Sequence, residues 1–150
     1  MNKHSYTAVA LLAAAVIIAV LFTTRPDYLF GRSNQLAQGQ ALYSVHCVRC
    51  HGKKLEGQPN WQTPLPTGRM PAPPHDEPGH TWHHSDKALL GVTKLGLKPF
   101  AGENYESDMP AFGGILKDEE IESILAYIKS TWPERERAYQ KELTEKSKVP

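Results

Sequence analysis

Residues 47–51 read Cys47-Val48-Arg49-Cys50-His51 and form the most informative stretch of the sequence. Residues three positions apart lie on one face of a helical turn, so the two thiols are expected to point in the same direction. These are the chain's only two cysteines, whereas a structural disulfide framework needs more of them at wider spacing. The two thiols and His51 therefore belong to one local site.

The Cys-X-X-Cys-His pattern is the attachment signature of c-type haem. Thiols in this arrangement reach the two vinyl groups of one porphyrin and form thioethers, and the imidazole that follows binds the iron. A thioredoxin-like thiol pair is a competing interpretation, but it needs a strand–helix context and has no use for His51. A zinc site needs a second pair of thiol or imidazole ligands at suitable spacing, and later histidines keep it open by count alone. Residues 1–25, upstream of the motif, have the uncharged apolar run of an export segment, and this favours the haem interpretation.

A haem iron bound by His51 has a sixth position, and two methionines that each precede a proline, Met70 and Met109, are candidates for it. The long segment 52–108 lies between His51 and Met109, which leaves room for the chain to circle the haem and return on its far face. Only the short, proline-rich segment 52–69 separates His51 from Met70, which is therefore expected to stay on the His51 side. Core packing is the alternative role for either side chain. The position of Met109 in the chain therefore favours it over Met70 as the sixth ligand.

Residues 1–25 have the pattern of a membrane anchor. No formally charged residue lies between Lys3 and Arg25, and residues 8–22 are apolar throughout. A helix over residues 5–24 would span ~30 Å, the thickness of the hydrocarbon core of a bilayer. A cleaved signal peptide is the alternative, but the small residues that mark a cleavage site are missing where the apolar run ends. We therefore expect residues 1–25 to be a retained transmembrane helix.

The rest of the chain is expected to be helical with long irregular connections. Residues 52–84 hold most of the chain's 12 prolines, and no helical period survives there. No segment alternates as a strand does. The expected order is a linker at 26–33, helices from Ser33 or Asn34 to Cys47, from Asp86 to about Leu95 and from Asp118 onward, and a charged tail at 133–150, either helical or frayed.

Composition narrows the class of protein further. The chain has 150 residues, of which 40% are hydrophobic and 22% are charged, as in an ordinary globular protein. Its net charge is +1, with 17 basic and 16 acidic side chains. Affinity for nucleic acid depends on clustered positive charge, so a neutral domain is not expected to bind it.

With these motifs the chain resembles the class I c-type cytochromes of bacterial membranes and periplasm. The resemblance covers residues 34–132 and rests on Gln38–Tyr43 leading into Cys47–Gly52, on Met109–Gly114 and on the helix over 118–132. It implies an all-α fold wrapped around one covalent haem c, with His51 and Met109 as axial ligands. It also implies that the first and last helices of the domain cross near Gly39, in the region of Tyr127.

Further expectations follow from the resemblance. Family members commonly have a proline carbonyl that accepts a hydrogen bond from the axial histidine, and Pro59 and Pro64 are both candidates here. Trp82 is expected to pack on the haem or to bind a propionate, with plain core filling as the alternative. Iron with both axial positions filled has no place for a substrate, which implies an electron carrier rather than an enzyme.

The resemblance also implies a place in the cell. We expect a single-pass protein of the bacterial inner membrane, with the haem domain in the periplasm and redox proteins as its donor and acceptor. The alternative is a haem-bearing component dedicated to one oxidoreductase or to a copper-handling partner.

Four of the chain's seven histidines, His75, His80, His83 and His84, cluster within residues 75–84. Imidazole suits copper and zinc, so a second metal site is one interpretation. Their spacing matches no closed metal site, and the favoured interpretation is haem packing and ordering of the loop.

Overall fold

A computed structural model describes residues 11–14, 16 and 26–148, and residues 26–30 only by their backbone. It divides the chain into two compact units, residues 1–34 and 35–150. In the first unit, residues 11–14 and 16 are helical, and Leu11, Leu12 and Val16 are exposed. The rest of the anchor expected at residues 1–25 lies outside the described residues. No helix within the described ranges is long and apolar enough to cross a bilayer.

The described residues form helices and no strand, which confirms the expected all-α class. The helices are α1 (Pro26–His46), α2 (Val48–His51), a 3₁₀-helix (Thr81–His83), α3 (Asp86–Leu95), α4 (Lys98–Ala101), α5 (Asp118–Ser130) and α6 (Glu134–Lys146).

Helix α1 begins earlier than the sequence pattern predicts. Residues 26–33, expected to be a linker, are helical from Pro26 onward. Proline is favoured at the first helical position because the N–H that it lacks has no partner there in any helix. Gly31 and Ser33, residue types that are typical of a linker, lie inside the longer helix.

Helix α3 has the predicted range, Asp86–Leu95, and a capping residue at each end. The Ser85 hydroxyl accepts a hydrogen bond from Ala88 N at 3.4 Å, and Gly96, with φ of +76°, ends the helix. Helix α5 begins at Asp118, and its cap position is Lys117, one residue before the Asp118 cap that the sequence pattern predicts. The Glu120 carboxylate accepts a hydrogen bond from Lys117 N at 2.8 Å.

Helices α1 and α5 cross at Gly39, as the family resemblance implies. A methyl group on Gly39 would overlap the Ser123 carbonyl and lie 3.0 Å from Tyr127 Cβ. Glycine is therefore required by the close approach of the two backbones. The apolar core lies around this crossing and contains Tyr43, Leu55, Phe112, Leu116, Ile121, Ile124, Leu125, Ile128 and Trp132.

The irregular stretch after α2 folds back on the haem-attachment motif. Gln58 N donates to Ala72 O at 2.9 Å, and His75 N donates to Leu55 O at 2.7 Å. These hydrogen bonds bring residues 72–75 alongside residues 55–58. Backbone hydrogen bonds between distant residues, rather than a regular helix, therefore hold this segment in place.

Residues 134–146, within the segment expected to be a charged tail, form the regular helix α6, and it packs on the domain. Its Glu136 and Gln140 side chains are buried. Gln140 Nε2 donates to His84 O at 3.2 Å, and the Tyr139 ring meets the Trp82 ring edge-on at 5.6 Å. The helix therefore covers the 3₁₀-helix.

Candidate functional site

The two cysteines occupy one helical turn. Cys50 N and His51 N both donate to Cys47 O, at 3.1 and 2.9 Å, and Cys47 sits at the N-cap of α2. Neither cysteine is in a disulfide. This is the local geometry that the spacing predicts, with both thiols on one turn.

The chemistry of Cys47 argues against a redox-active thiol pair. Burial, and then the neighbouring Cys50, raise the pKa of the Cys47 thiol to about 11. A thioredoxin-like nucleophile needs a lowered thiol pKa so that thiolate is present at neutral pH. Cys47 is instead a neutral thiol, which suits a residue whose sulfur is to be held in a thioether.

The imidazole of His51 is buried and oriented by one backbone carbonyl. The residue is 8% exposed, and Nδ1 lies 2.8 Å from Pro73 O. A carbonyl oxygen only accepts, so Nδ1 carries the hydrogen and Nε2 carries the lone pair. Burial lowers the pKa of His51, and the hydrogen bond to Pro73 opposes part of this shift. A neutral imidazole with a free Nε2 is the form that binds metal ions.

Pro73 corrects the expectation that Pro59 or Pro64 provides this carbonyl. Prolines are dense in the irregular stretch, and the sequence contains no period from which to choose among them. Which proline carbonyl contacts His51 depends on the path of the loop. Gly57, with φ of +67°, packs against the peptide between Pro73 and Pro74 and so brings Pro73 close to the motif. A Cβ on Gly57 would come within 2.6 Å of Pro73 C.

Tyr43 ties α1 to the end of the motif. Its hydroxyl donates to Gly52 O at 3.1 Å, and the residue is 1% exposed. Burial raises the pKa of Tyr43, so the hydroxyl stays protonated and remains a donor. Tyr43 lies in one of the sequence blocks that carry the family resemblance, but no sequence pattern predicts this contact.

Met109 and Met70 lie in different surroundings. Met109 is half-buried and packs against the apolar core, whereas Met70 is not among the described side chains that do so. The backbone N–H of Met109 donates to Ser107 Oγ at 3.0 Å. Arg69 pairs with Glu106 at 3.1 Å and with Asp108 at 2.5 Å, which fastens the segment before Met109 to the proline-rich stretch.

Trp82 belongs to an aromatic group on the 3₁₀-helix. Its ring stacks on His83 with centroids 3.7 Å apart, and its Nε1–H donates to Glu77 O at 3.1 Å. The predicted contact of Trp82 with haem stays a prediction. A second tryptophan, Trp132, has no role predicted from the sequence; it is 1% exposed and donates from Nε1 to His75 O at 2.6 Å.

The four clustered histidines make local ring and hydrogen-bond contacts, and one of these contacts, between the His80 and His84 rings at 5.3 Å, joins two members of the cluster. His75 stacks on His51 and hydrogen-bonds to the Thr81 hydroxyl, while His80 stacks on Trp61 with centroids 5.1 Å apart. Within the described part of the chain, no group of three or more His, Cys, Asp or Glu side chains is arranged to hold a metal ion. These contacts agree with a role in ordering the loop.

Three features together indicate a protein that attaches haem covalently. They are two neighbouring free thiols, a buried histidine with an available Nε2 and an all-α fold. The family model for cytochrome c matches residues 36–132, which is more than half of the chain. The chain therefore belongs to the cytochrome c family. Comparison with curated proteins and with solved structures gives no match.

Membership of the family settles the cofactor and the general activity. The protein binds haem c covalently, and its one Cys-X-X-Cys-His motif corresponds to one haem. Its activity is haem-based electron transfer. The residues present fit the cofactor, because the two cysteines are unpaired and no described side chain hydrogen-bonds to His51 Nε2.

Proposed function

We propose that the protein is a single-haem electron carrier, rather than an enzyme, in which His51 and Met109 are the axial ligands of the haem iron. Cys47 and Cys50 hold the cofactor through thioethers. Haem c bound here supplies an iron that takes one electron from a donor protein and passes it to an acceptor protein. The observation that carries the proposal is the Nδ1–H of His51 donating to Pro73 O at 2.8 Å, which leaves Nε2 for iron.

Packing supports Met109 as the second ligand. Its side chain lies against the apolar core, and Met70 is not among the described side chains that do so. A thioether ligand favours ferrous iron and raises the reduction potential. Filling both axial positions leaves none for a substrate, so the electron passes without a bond being made or broken.

We propose further that residues 1–25 anchor the protein in the bacterial inner membrane, with the haem domain in the periplasm. The uncharged apolar run supports this, as does the exposure of Leu11, Leu12 and Val16, whose side chains lipid would accommodate. The full-length chain is expected to remain with the membrane fraction after a high-salt wash, because salt does not screen apolar burial. Recovery of a soluble form that starts near Arg25 would contradict the anchor.

Ligation is tested with two methionine variants of the full chain. Met109→Ala should lose the weak long-wavelength sulfur-to-iron band of the ferric protein. Its reduction potential should fall by about 0.1 V or more, a fraction of the ≈ 0.8 V that axial ligands span. Met70→Ala is the matched control, since it removes the other methionine that precedes a proline, and it should keep both the band and the potential.

The opposite result for the two variants would transfer the ligand role to Met70. Covalent attachment is checked on the same samples by extraction with acid and acetone. Haem should stay with the wild-type protein, and changing both Cys47 and Cys50 to Ala should abolish the holoprotein. Release of haem from the wild-type protein would contradict the thioethers.

A further inference from the structure

A second histidine ring lies flat against His51. The rings of His51 and His75 have centroids 3.9 Å apart and planes 21° apart, although the whole of segment 52–74 separates them in the chain. We propose that His75 is a positioning residue that fixes the plane of the His51 imidazole and so contributes to the reduction potential of the haem. This inference rests on the proposed ligation of iron by His51.

Three separate parts of the fold hold His75 in place. Its backbone N–H donates to Leu55 O at 2.7 Å, and its carbonyl accepts from Trp132 Nε1 at 2.6 Å. Its Nδ1 lies 2.8 Å from Thr81 Oγ1. The Thr81 hydroxyl donates its hydrogen to Pro74 O at 3.3 Å, so Nδ1 of His75 is the donor to Thr81. The ring is therefore fixed in position and in tautomer before it meets His51.

The stack adds a constraint that the Pro73 hydrogen bond lacks. The hydrogen bond at Nδ1 restrains one edge of the His51 ring, and the ring, which is also tethered at Cβ, can still tilt about the line between these two points. The flat face of His75 removes this freedom, because turning His51 would drive its edge into the neighbouring ring. Groups beyond the ligands commonly orient a metal-bound imidazole in this way.

The orientation of an imidazole plane has a measurable consequence. The plane determines which iron d orbitals overlap with the π system of the ligand. A ring that is free to turn averages over several orientations, whereas a fixed ring gives one electronic state. Electron paramagnetic resonance of the ferric protein and the spread of its haem-methyl proton shifts both report the orientation directly, whereas a residue that only fills space leaves them unchanged.

The test compares two substitutions in the full-length holoprotein at one pH. His75→Leu removes the flat ring but keeps most of the volume, and His75→Phe keeps a stacked ring. His80→Leu is the control, because His80 lies in the same loop and stacks on Trp61 instead. The readouts are the ferric g-values, the haem-methyl shifts and the reduction potential.

His75→Leu should change the g-values, the methyl shifts and the potential, whereas His75→Phe should restore all three towards wild type and His80→Leu should leave them unchanged. Equal effects of Leu and Phe, or no effect of either, would overturn the proposal. If His75→Leu fails to retain haem, His75→Phe decides alone: wild-type signals support the proposal and altered signals overturn it. A wild-type spectrum without low-spin imidazole ligation would instead contradict the proposed function itself.

Discussion

At the scale of single residues, His80 makes the free energy of unfolding depend on pH. Its Nδ1 is buried and has no hydrogen-bond partner among the described residues. Burial, and then the nearby His84 and His83, lower the pKa of His80 below the usual 6.5. Below pH 6.5 the unfolded chain therefore takes up a proton at His80 before the folded chain does. The contribution of His80 is fully present above pH 6.5 and is lost as the pH falls towards the folded pKa.

Removing the titrating group at position 80 should flatten this dependence. His80→Phe keeps a ring against Trp61 and cannot take up a proton. We expect its free energy of unfolding to match wild type near pH 8 and to fall less than wild type between pH 6.5 and pH 5. Urea denaturation followed by tryptophan fluorescence at three pH values measures this. Identical losses in the two proteins would show that His80 does not contribute.

At the scale of helices, the crossing of α1 and α5 depends on the absence of one side chain. Gly39→Ala would place a methyl group into the Ser123 carbonyl, so the helices must separate. We expect a loss of about 1–3 kcal/mol in the free energy of unfolding, as for other overpacked cores. The midpoint of thermal unfolding should fall by about 4 °C for each kcal/mol.

Gly114→Ala is the control for this substitution. No atom lies within 4 Å of the position that a Cβ on Gly114 would occupy, and its φ is not in the left-handed region. Its free energy of unfolding should therefore stay within about 0.5 kcal/mol of wild type. Equal midpoints for Gly39→Ala and wild type would mean that the two helices do not pack as closely as described.

At the scale of the whole molecule, the folded unit extends past the part that the family model covers. The match ends at residue 132, and α6 begins at Glu134. Gln140 joins this helix to the domain, since its Nε2 donates to His84 O at 3.2 Å and to Asp86 Oδ1 at 2.6 Å. We infer that α6 stabilises the segment between the haem-attachment motif and α3.

Gln140→Leu should therefore lower the free energy of unfolding of the domain. It leaves the His84 carbonyl without this donor, at an expected cost of about 1–3 kcal/mol. Thermal unfolding followed by circular dichroism measures the loss, and the haem spectrum should stay unchanged because Gln140 is remote from the motif in sequence and contacts neither His51 nor Met109. Lys141→Leu, at the next and exposed position of α6, should unfold near the wild-type midpoint.

The sequence alone was enough to predict the haem-attachment motif, the all-α class, the helix from Asp86 to Leu95 and the need for glycine at position 39. These features depend on neighbours in the chain, on helical periodicity or on a pattern that the family shares. The three-dimensional structure was needed to show that Pro73 rather than Pro59 or Pro64 contacts His51, and that His75 stacks on His51. Both contacts depend on where an irregular, proline-rich stretch turns back, and such a path has no period that a sequence pattern could reveal. The packing of α6 could not be predicted from the sequence either. Its buried face carries Glu136 and Gln140, whose polar side chains are of the kind found in a solvated tail.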